Sequence, residues 1–330
     1  MYDSRRLLPL LALSATLLTV PLVMGYWGTV HPAFDSLAHF RVHLAALVVI
    51  LALPLLFARG WRRIGLAAVV LGGAAITSVT ALPAGEVHAG GEMGAARYRL
   101  LQLNLRYDNR TPREVLSLIG RTQPDVVTLN EVSSAWLPEL QLVENAYPHR
   151  IVCQPPSPIG GVAILSRRPF LHPSRAQCFD RGSLAIATVN FGGAAVDVAA
   201  IHLGWPWPFE QSWQIDDVVP VLERLSASAI IAGDLNAAPW SLTARRVAAA
   251  GGLTSVGNVG PTWLVRSAPD FLRRFAGLPI DNIFTKGRVV PIATRRFESV
   301  GSDHLPVLLE FAVRPEEEAA EVMQARIAGE

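Results

Sequence analysis

Charge is scarce in this sequence: Asp, Glu, Lys and Arg together make up 17% of its 330 residues. Hydrophobic residues make up 51%, and the mean hydropathy is +0.32. A soluble enzyme of this length seldom carries so large an apolar excess, and a membrane is where such an excess goes. The formal net charge is only +2, and no basic stripe runs along the chain. Tight, sequence-independent binding to a nucleic-acid backbone is therefore not indicated. A nuclease is not excluded, since an active site alone can hold a short strand. Cysteine is limited to Cys153 and Cys178, enough for one bridge at most.

Asp, Glu, Lys and Arg are missing altogether from three apolar stretches near the start, about Leu7–Met24, Val42–Phe57 and Ile64–Leu82. Each approaches the roughly 20 residues that cross a bilayer as a helix. A backbone in lipid must satisfy its own hydrogen bonds, so helix is the expected form. The first stretch alone also fits a signal peptide, but two more follow and no small-residue cleavage site is evident. A buried soluble hairpin is the other reading of the second and third. Arg5 and Arg6 precede the first stretch, and Arg59, Arg62 and Arg63 fill the turn between the second and third. Arginine-rich ends stay in the cytoplasm, so three crossings put everything after about residue 83 outside it. The expected location is the inner (plasma) membrane, multi-pass, with an extracytoplasmic, periplasmic domain. There the two cysteines can pair, with two buried thiols as the alternative.

Four segments follow from composition: a three-helix transmembrane anchor at 1–82, a Gly/Ala-rich linker at 83–96, one domain at 97–314 and an acidic tail at 315–330. Residues Arg97 to Arg106 carry apolar side chains at alternate positions from Tyr98 and read as a strand. Thr111-Pro112 predicts a helix start, with Thr at the N-cap and Pro at N1. Further strands are predicted at 125–132, 161–166, 184–191, 194–203, 229–234, 280–285 and 305–313, with a helix at 210–225. Mixed strands and helices over some 220 residues suit one α/β domain.

Polar residues gather at the strand ends. Asn104 closes the first strand, Glu131 the second and His202 another. Asp234 and Asn236 follow an apolar strand in Gly233-Asp-Leu-Asn236, Asp281 opens the 280–285 strand, and Ser302-Asp303-His304 precedes the last. One such group is commonly a cap or turn residue. So many in one domain favour a shared site, because each would cost several kcal/mol if buried without partners.

This ordered set resembles that of the endonuclease/exonuclease/phosphatase superfamily, the DNase I-like group of nucleases, inositol-polyphosphate 5-phosphatases and bacterial sphingomyelinases. The likeness covers about residues 98–313 and none of the apolar start. It implies a four-layered α/β sandwich and a divalent cation, Mg2+ or Mn2+. It also implies metal-side roles for Glu131, Asn104 and Asp303, and catalytic roles for His202, Asp234, Asn236, Asp281 and His304. His304 would pair with Asp281, Asp234 would orient or deprotonate the attacking water, and Asn236 and His202 would hold the phosphate. An all-oxygen ligand set independently suits Mg2+.

After His202, Trp205, Trp207, Phe209 and Trp213 crowd one loop. It reads either as a Pro-stiffened satellite core or as an aromatic lip for substrate or lipid. Arg273 and Arg274 read as a solvated pair or as a rim for an anionic substrate. The expected function is a membrane-anchored, metal-dependent phosphodiesterase, on a nucleic acid or a phospholipid-type ester. A phosphomonoesterase and a non-catalytic binding module are the alternatives. The expected partners are a phosphate ester and the lipid bilayer, with nucleic acid left open and no protein partner inferable.

Overall fold

The structure is a computed structural model that describes residues 4–80, 96–155 and 157–315. The expected linker, apart from Ala96, and the acidic tail from Glu316 onward lie outside the described residues. Two compact units are present.

The first unit contains the N-terminal helices together with residues 205–212 and 240–245. Its helices are α1 (Ser4–Met24), α2 (Pro32–Ala38), α3 (Arg41–Ala52) and α4 (Arg62–Thr80). Small residues let them approach: Ala45, Ala52, Ala68 and Ala75 pack with Leu22 and Val48. A Cβ on Gly72 would lie 2.6 Å from Val49 Cγ2, so α4 can lie this close to α3 only with glycine there. Leu10, Leu13, Leu17, Ile50, Leu66 and Val70 point outward and stay exposed. Apolar side chains facing out of a helical bundle are what a lipid environment asks for. Helices α1 and α4 are long and apolar enough to cross a membrane. A third crossing requires counting α2 and α3 with the short 3-10 turn Leu53–Phe57 as one span bent by 64°. The expected count of three thus depends on that bend, which lies at the break between Ala38 and Arg41.

Asp35 of α2 is buried, and its carboxylate accepts from the amides of Leu242 (2.6 Å) and Thr243 (3.0 Å) and from the Thr243 hydroxyl (2.9 Å). Those amides open helix α8 (Leu242–Gly251), so a distant acid neutralises donors that have no partner within the helix. Nearby, Trp240 Nε1 donates to the Ala38 carbonyl at 2.7 Å.

The second unit is a sandwich of two six-stranded sheets. The first sheet runs β11-β12-β1-β2-β4-β3, from β1 (Arg97–Asn104), β2 (Val126–Val132), β3 (His149–Val152), β4 (Gly161–Ser166), β11 (Val289–Arg296) and β12 (Val307–Val313). The second runs β5-β6-β7-β8-β10-β9, from β5 (Gln177–Phe179), β6 (Leu184–Phe191), β7 (Ala194–His202), β8 (Ala229–Asp234), β9 (Thr254–Ser255) and β10 (Asp281–Lys286). Each sheet holds one parallel pair, β1 with β2 and β7 with β8.

Alternation along β1 explains the layers. Leu100 joins the core between the sheets with Ile164, Val198, Ile230 and Leu309. Leu101 and Leu103 face the other way, against Val115, Leu118 and Ile119 of α5 (Pro112–Thr122) and Trp136 and Leu140 of α6 (Trp136–Gln141). In α7 (Gln211–Leu222), Ile215, Val218 and Leu222 are buried at helical spacing. Thr111 occupies the N-cap of α5 as expected, but makes no capping bond. Its hydroxyl instead contacts Asn109 Oδ1 and the Val300 carbonyl, tying α5 to the loop before β12.

Cys153 and Cys178 form a disulfide, with Cα atoms 5.7 Å apart. Cys153 follows β3, the last strand of one sheet, and Cys178 lies in β5, the first strand of the other. The bridge therefore fastens the two sheets together at one edge.

Candidate active site

The parallel pairs aim their C-terminal ends at one place. Asn104 ends β1, His202 ends β7, Asp234 ends β8 and Asp281 starts the antiparallel β10. In register, His202 lies opposite Asp234, and Asp234 lies opposite Asp281. The Gly before Asp234 is a packing requirement: a Cβ on Gly233 would lie 1.8 Å from the Ile201 carbonyl oxygen of the neighbouring strand.

Asp234 is 1% exposed, and its carboxylate is the hub. Oδ2 stands 3.5 Å from His304 Nε2 and 3.7 Å from His202 Nε2, and accepts from Asn104 Nδ2 at 3.1 Å. Oδ1 accepts from the Asn236 amide at 2.8 Å. Burial pushes this carboxyl up to about 6, while the two imidazoles pull the other way and Asp281 adds to the rise. His304 Nδ1 meets Asp281 Oδ2 at 2.9 Å. Burial disfavours charge on His304, yet Asp281 and Asp234 outweigh it and raise the imidazole to about 10. Burial likewise works against charge on Asp281, but the charge of His304 and hydrogen bonds from His304, Thr262 and Gln102 hold it below the ordinary carboxylate range. At neutral pH the group is thus an imidazolium between two carboxylates.

Glu131 stands beside this trio. Asn104 Nδ2 donates to Glu131 Oε1 at 3.0 Å as well as to Asp234, so one amide nitrogen ties both carboxylates. The Tyr107 amide donates to Glu131 Oε2 at 2.9 Å. Glu131 has φ of +56°, in the left-handed region, where the β2–β4 register shifts between Leu129 and Val132. Such a conformation costs of order 1 kcal/mol and is characteristic of functional positions. It turns the side chain out of the strand's ordinary alternation. The Asn104 oxygen accepts from the Arg106 amide, so Asn104 offers these acids its nitrogen. Asp303 accepts from Trp263 Nε1 at 3.3 Å, and its charge acts on both Arg106 and His304.

Several residues to which the sequence assigned no role support the site. Asn130 Oδ1 accepts from Gln102 Nε2 and from the Asp234 amide, while its Nδ2 donates to the Ile201 carbonyl at 2.8 Å. This one side chain links β1 and β2 of the first sheet to β7 and β8 of the second. Gln102 Nε2 also donates to Asp281 Oδ1 at 2.9 Å. Ser302 Oγ donates to the Asn104 carbonyl and accepts from the His304 amide, fixing the loop before β12 to the end of β1. Arg273 is neither solvated nor a rim residue: it is buried, and its Nη1 donates to the carbonyls of Thr262 and Asp303. Arg274 lies against the Phe275 ring, 4.5 Å from its centroid.

The acids suit a hard cation. Asp234, Asp281 and His304 each place one ligand atom within 4.8 Å of the others. His304, however, is the positive member of that trio, committed to Asp281 through Nδ1. A cation therefore fits better beside Glu131, whose two oxygens accept from the neutral N–H groups of Asn104 and Tyr107. A divalent ion there would offset the crowding of Glu131 and Asp234 around one amide.

Comparison with known proteins places the chain in a family. The Endonuclease/Exonuclease/phosphatase family profile matches residues 101–304. None of the curated proteins compared matches the chain. Among solved structures, D. rerio TDP2 complexed with single strand DNA product is 19% identical, with a TM-score of 0.54 over 66% of this chain and 100% of that one. The endonuclease/exonuclease/phosphatase from Bacteroides vulgatus is 16% identical, with a TM-score of 0.54 over the same shares, 66% and 100%. An AP endonuclease from Archaeoglobus fulgidus is 17% identical, with a TM-score of 0.51 over 64% of this chain and 98% of that one. At these identities the likeness to solved structures speaks for the fold. The family profile spans most of the chain and takes in Asn104, Glu131, His202, Asp234, Asp281 and His304, and the chain belongs to the endonuclease/exonuclease/phosphatase family.

Proposed function

We propose that this protein is a membrane-anchored, divalent-metal-dependent phosphodiesterase whose catalytic domain works outside the cytoplasm. Members of its family are hydrolases acting on phosphate esters. The observation that carries the reading is the buried Asp234 carboxylate, ringed by His304, His202 and Asn104.

Water attacks phosphorus in line with the leaving oxygen; the new P–O bond forms as the ester P–O bond breaks. Asp234 orients that water and takes its proton, and a carboxyl raised to about 6 is matched to such work near neutral pH. His304, kept protonated by Asp281, places a fixed positive charge where negative charge builds on the phosphoryl oxygens. His202 and Asn236 hold the phosphate from the β7 and β8 sides. Mg2+ or Mn2+ held by Glu131, with Asn104 and Asp303 at its edge, would neutralise charge on the ester phosphate. No covalent enzyme intermediate is required.

Anchoring rests on the outward-facing apolar sides of α1 and α4, and orientation on the arginines at 59, 62 and 63. A panel of phosphodiesters and phosphomonoesters, assayed with Mg2+, Mn2+ or chelator, tests the chemistry. Hydrolysis of a diester that disappears with chelator and in Glu131→Gln supports the reading, and diester turnover indifferent to both ends it. A periplasm-active reporter fused after residue 95 tests the orientation.

A further inference from the structure

The loop that follows β7 belongs to the same compact unit as the apolar helices. Within that unit Trp207 stacks edge-on against His31, ring centroids 5.7 Å apart, and its carbonyl accepts from Ser36 Oγ at 3.3 Å. His31 and Ser36 lie in the segment joining α1 to α3. That segment opens with Gly25-Tyr26-Trp27, directly after α1 ends at Met24. Arg41 Nη2 donates to the Gly25 carbonyl, and its guanidinium lies 3.9 Å from the Tyr26 ring centroid, which fixes Tyr26 at the end of the helix.

The aromatic side chains here are not a satellite core. Tyr26 is 44% exposed, Trp27 55%, Trp205 53%, Trp207 48% and Phe209 56%. Five large rings so exposed within one unit are costly in water. They sit at one end of an 18-residue apolar stretch, Leu7–Met24, which is the level where a bilayer meets water. Trp and Tyr are favoured there because a ring can enter the acyl boundary while its N–H or O–H stays hydrated.

We propose that Tyr26, Trp27, Trp205, Trp207 and Phe209 form an aromatic collar seated in the headgroup layer of the bilayer. The loop after His202 is then a membrane-contacting element of the enzyme. This inference rests on the anchoring proposed above, and its test separates the two claims.

The native cysteines are bridged, so one introduced cysteine can be labelled alone. Phe209→Cys and, independently, Trp27→Cys carry an environment-sensitive fluorophore in the full-length protein, reconstituted in phosphatidylcholine–phosphatidylglycerol vesicles. Glu144→Cys, on an exposed position of the second unit, is the water control. Blue-shifted emission at 209 and 27, quenched by headgroup-proximal doxyl lipids and shielded from iodide, supports the collar. Emission at both positions that iodide quenches as it does at 144, in protein resisting carbonate extraction, overturns the collar and leaves the anchor standing. Protein released by carbonate overturns both. Shielding from iodide without lipid quenching, accompanied by thiol cross-links between copies at position 209, assigns the surface to a second copy and overturns the proposal.

Discussion

His304 Nδ1 meets Asp281 Oδ2 at 2.9 Å while its Nε2 faces Asp234 Oδ2 at 3.5 Å. One buried ring thus lies between two buried carboxylates, and their charges decide its protonation. The folded-state value of about 10 lies above the ordinary 6.5. Stability from this proton is fully present below pH 6.5 and is lost as pH rises through about 10. Asp281 is shifted the opposite way, so its contribution is present above pH 3.8 and is lost as pH falls through its lower folded value. In chelator-treated protein, the His304 ring resonances should show no titration between pH 6 and 8, and Asp281→Asn should bring the midpoint down. A midpoint near 6.5 in the unsubstituted protein would contradict this charge assignment.

Glu131→Gln keeps the side chain's shape and removes its charge. Loss of a site's main metal carboxylate should lower kcat by roughly a hundredfold or more, with the melting temperature nearly unchanged. Excess Mn2+ should recover part of the activity, and circular dichroism checks that the fold persists.

Asn130 contributes to stability and to positioning together. Asn130→Leu would leave the Asp234 amide and the Ile201 carbonyl without their partner. Each buried unpaired group costs about 1–3 kcal/mol. The variant should melt lower, and its kcat should fall more than its KM changes, because Asp234 loses its anchor.

The Cys153–Cys178 bridge closes a loop with a sequence separation of 25 residues. A loop of that size contributes about 3 kcal/mol by chain entropy. The Cys153→Ala/Cys178→Ala double variant should lose about that much in denaturant unfolding, with the fold retained. A variant as stable as the parent would show that the bridge adds nothing to the joined sheet edges.

Asp35 holds three donors at the start of α8. Asp35→Ala should cost about 1–2 kcal/mol through the lost cap, and Asp35→Asn should restore part of it. Hydrogen exchange of the Leu242 and Thr243 amides reports the loss locally.

Much of this molecule was legible because its signals are local. The alternation from Tyr98 announced β1, and the apolar run ending in Gly233-Asp234 announced β8. Asn104, Glu131, His202, Asp234, Asp281 and His304 stood out because charged or amide groups at strand ends need a common purpose. Strands β3, β5 and β9 have four residues or fewer, too short to show a period. Asn130 and Gln102 were given no role because an amide inside a strand carries no local sign of the partner it meets. Their partners, Asp234 and Asp281, lie 104 and 179 residues away in the chain. Arg273 was misread for the same reason: its acceptors, the Thr262 and Asp303 carbonyls, are supplied by tertiary structure. Helix α8 carried a local sign, Ser241, whose hydroxyl accepts from the Ala244 amide. The acid that completes its cap, Asp35, is 207 residues away from Leu242.

The most direct test of the central claim is steady-state hydrolysis of a chromogenic phosphodiester by full-length protein, with Mg2+ and with chelator. Parent, Glu131→Gln, Asp234→Asn and His304→Gln are measured side by side. The expected result is turnover that requires the metal and drops in all three variants while each stays folded. Equal turnover in the parent and in folded Asp234→Asn would contradict the assignment of Asp234 as the group that prepares the attacking water.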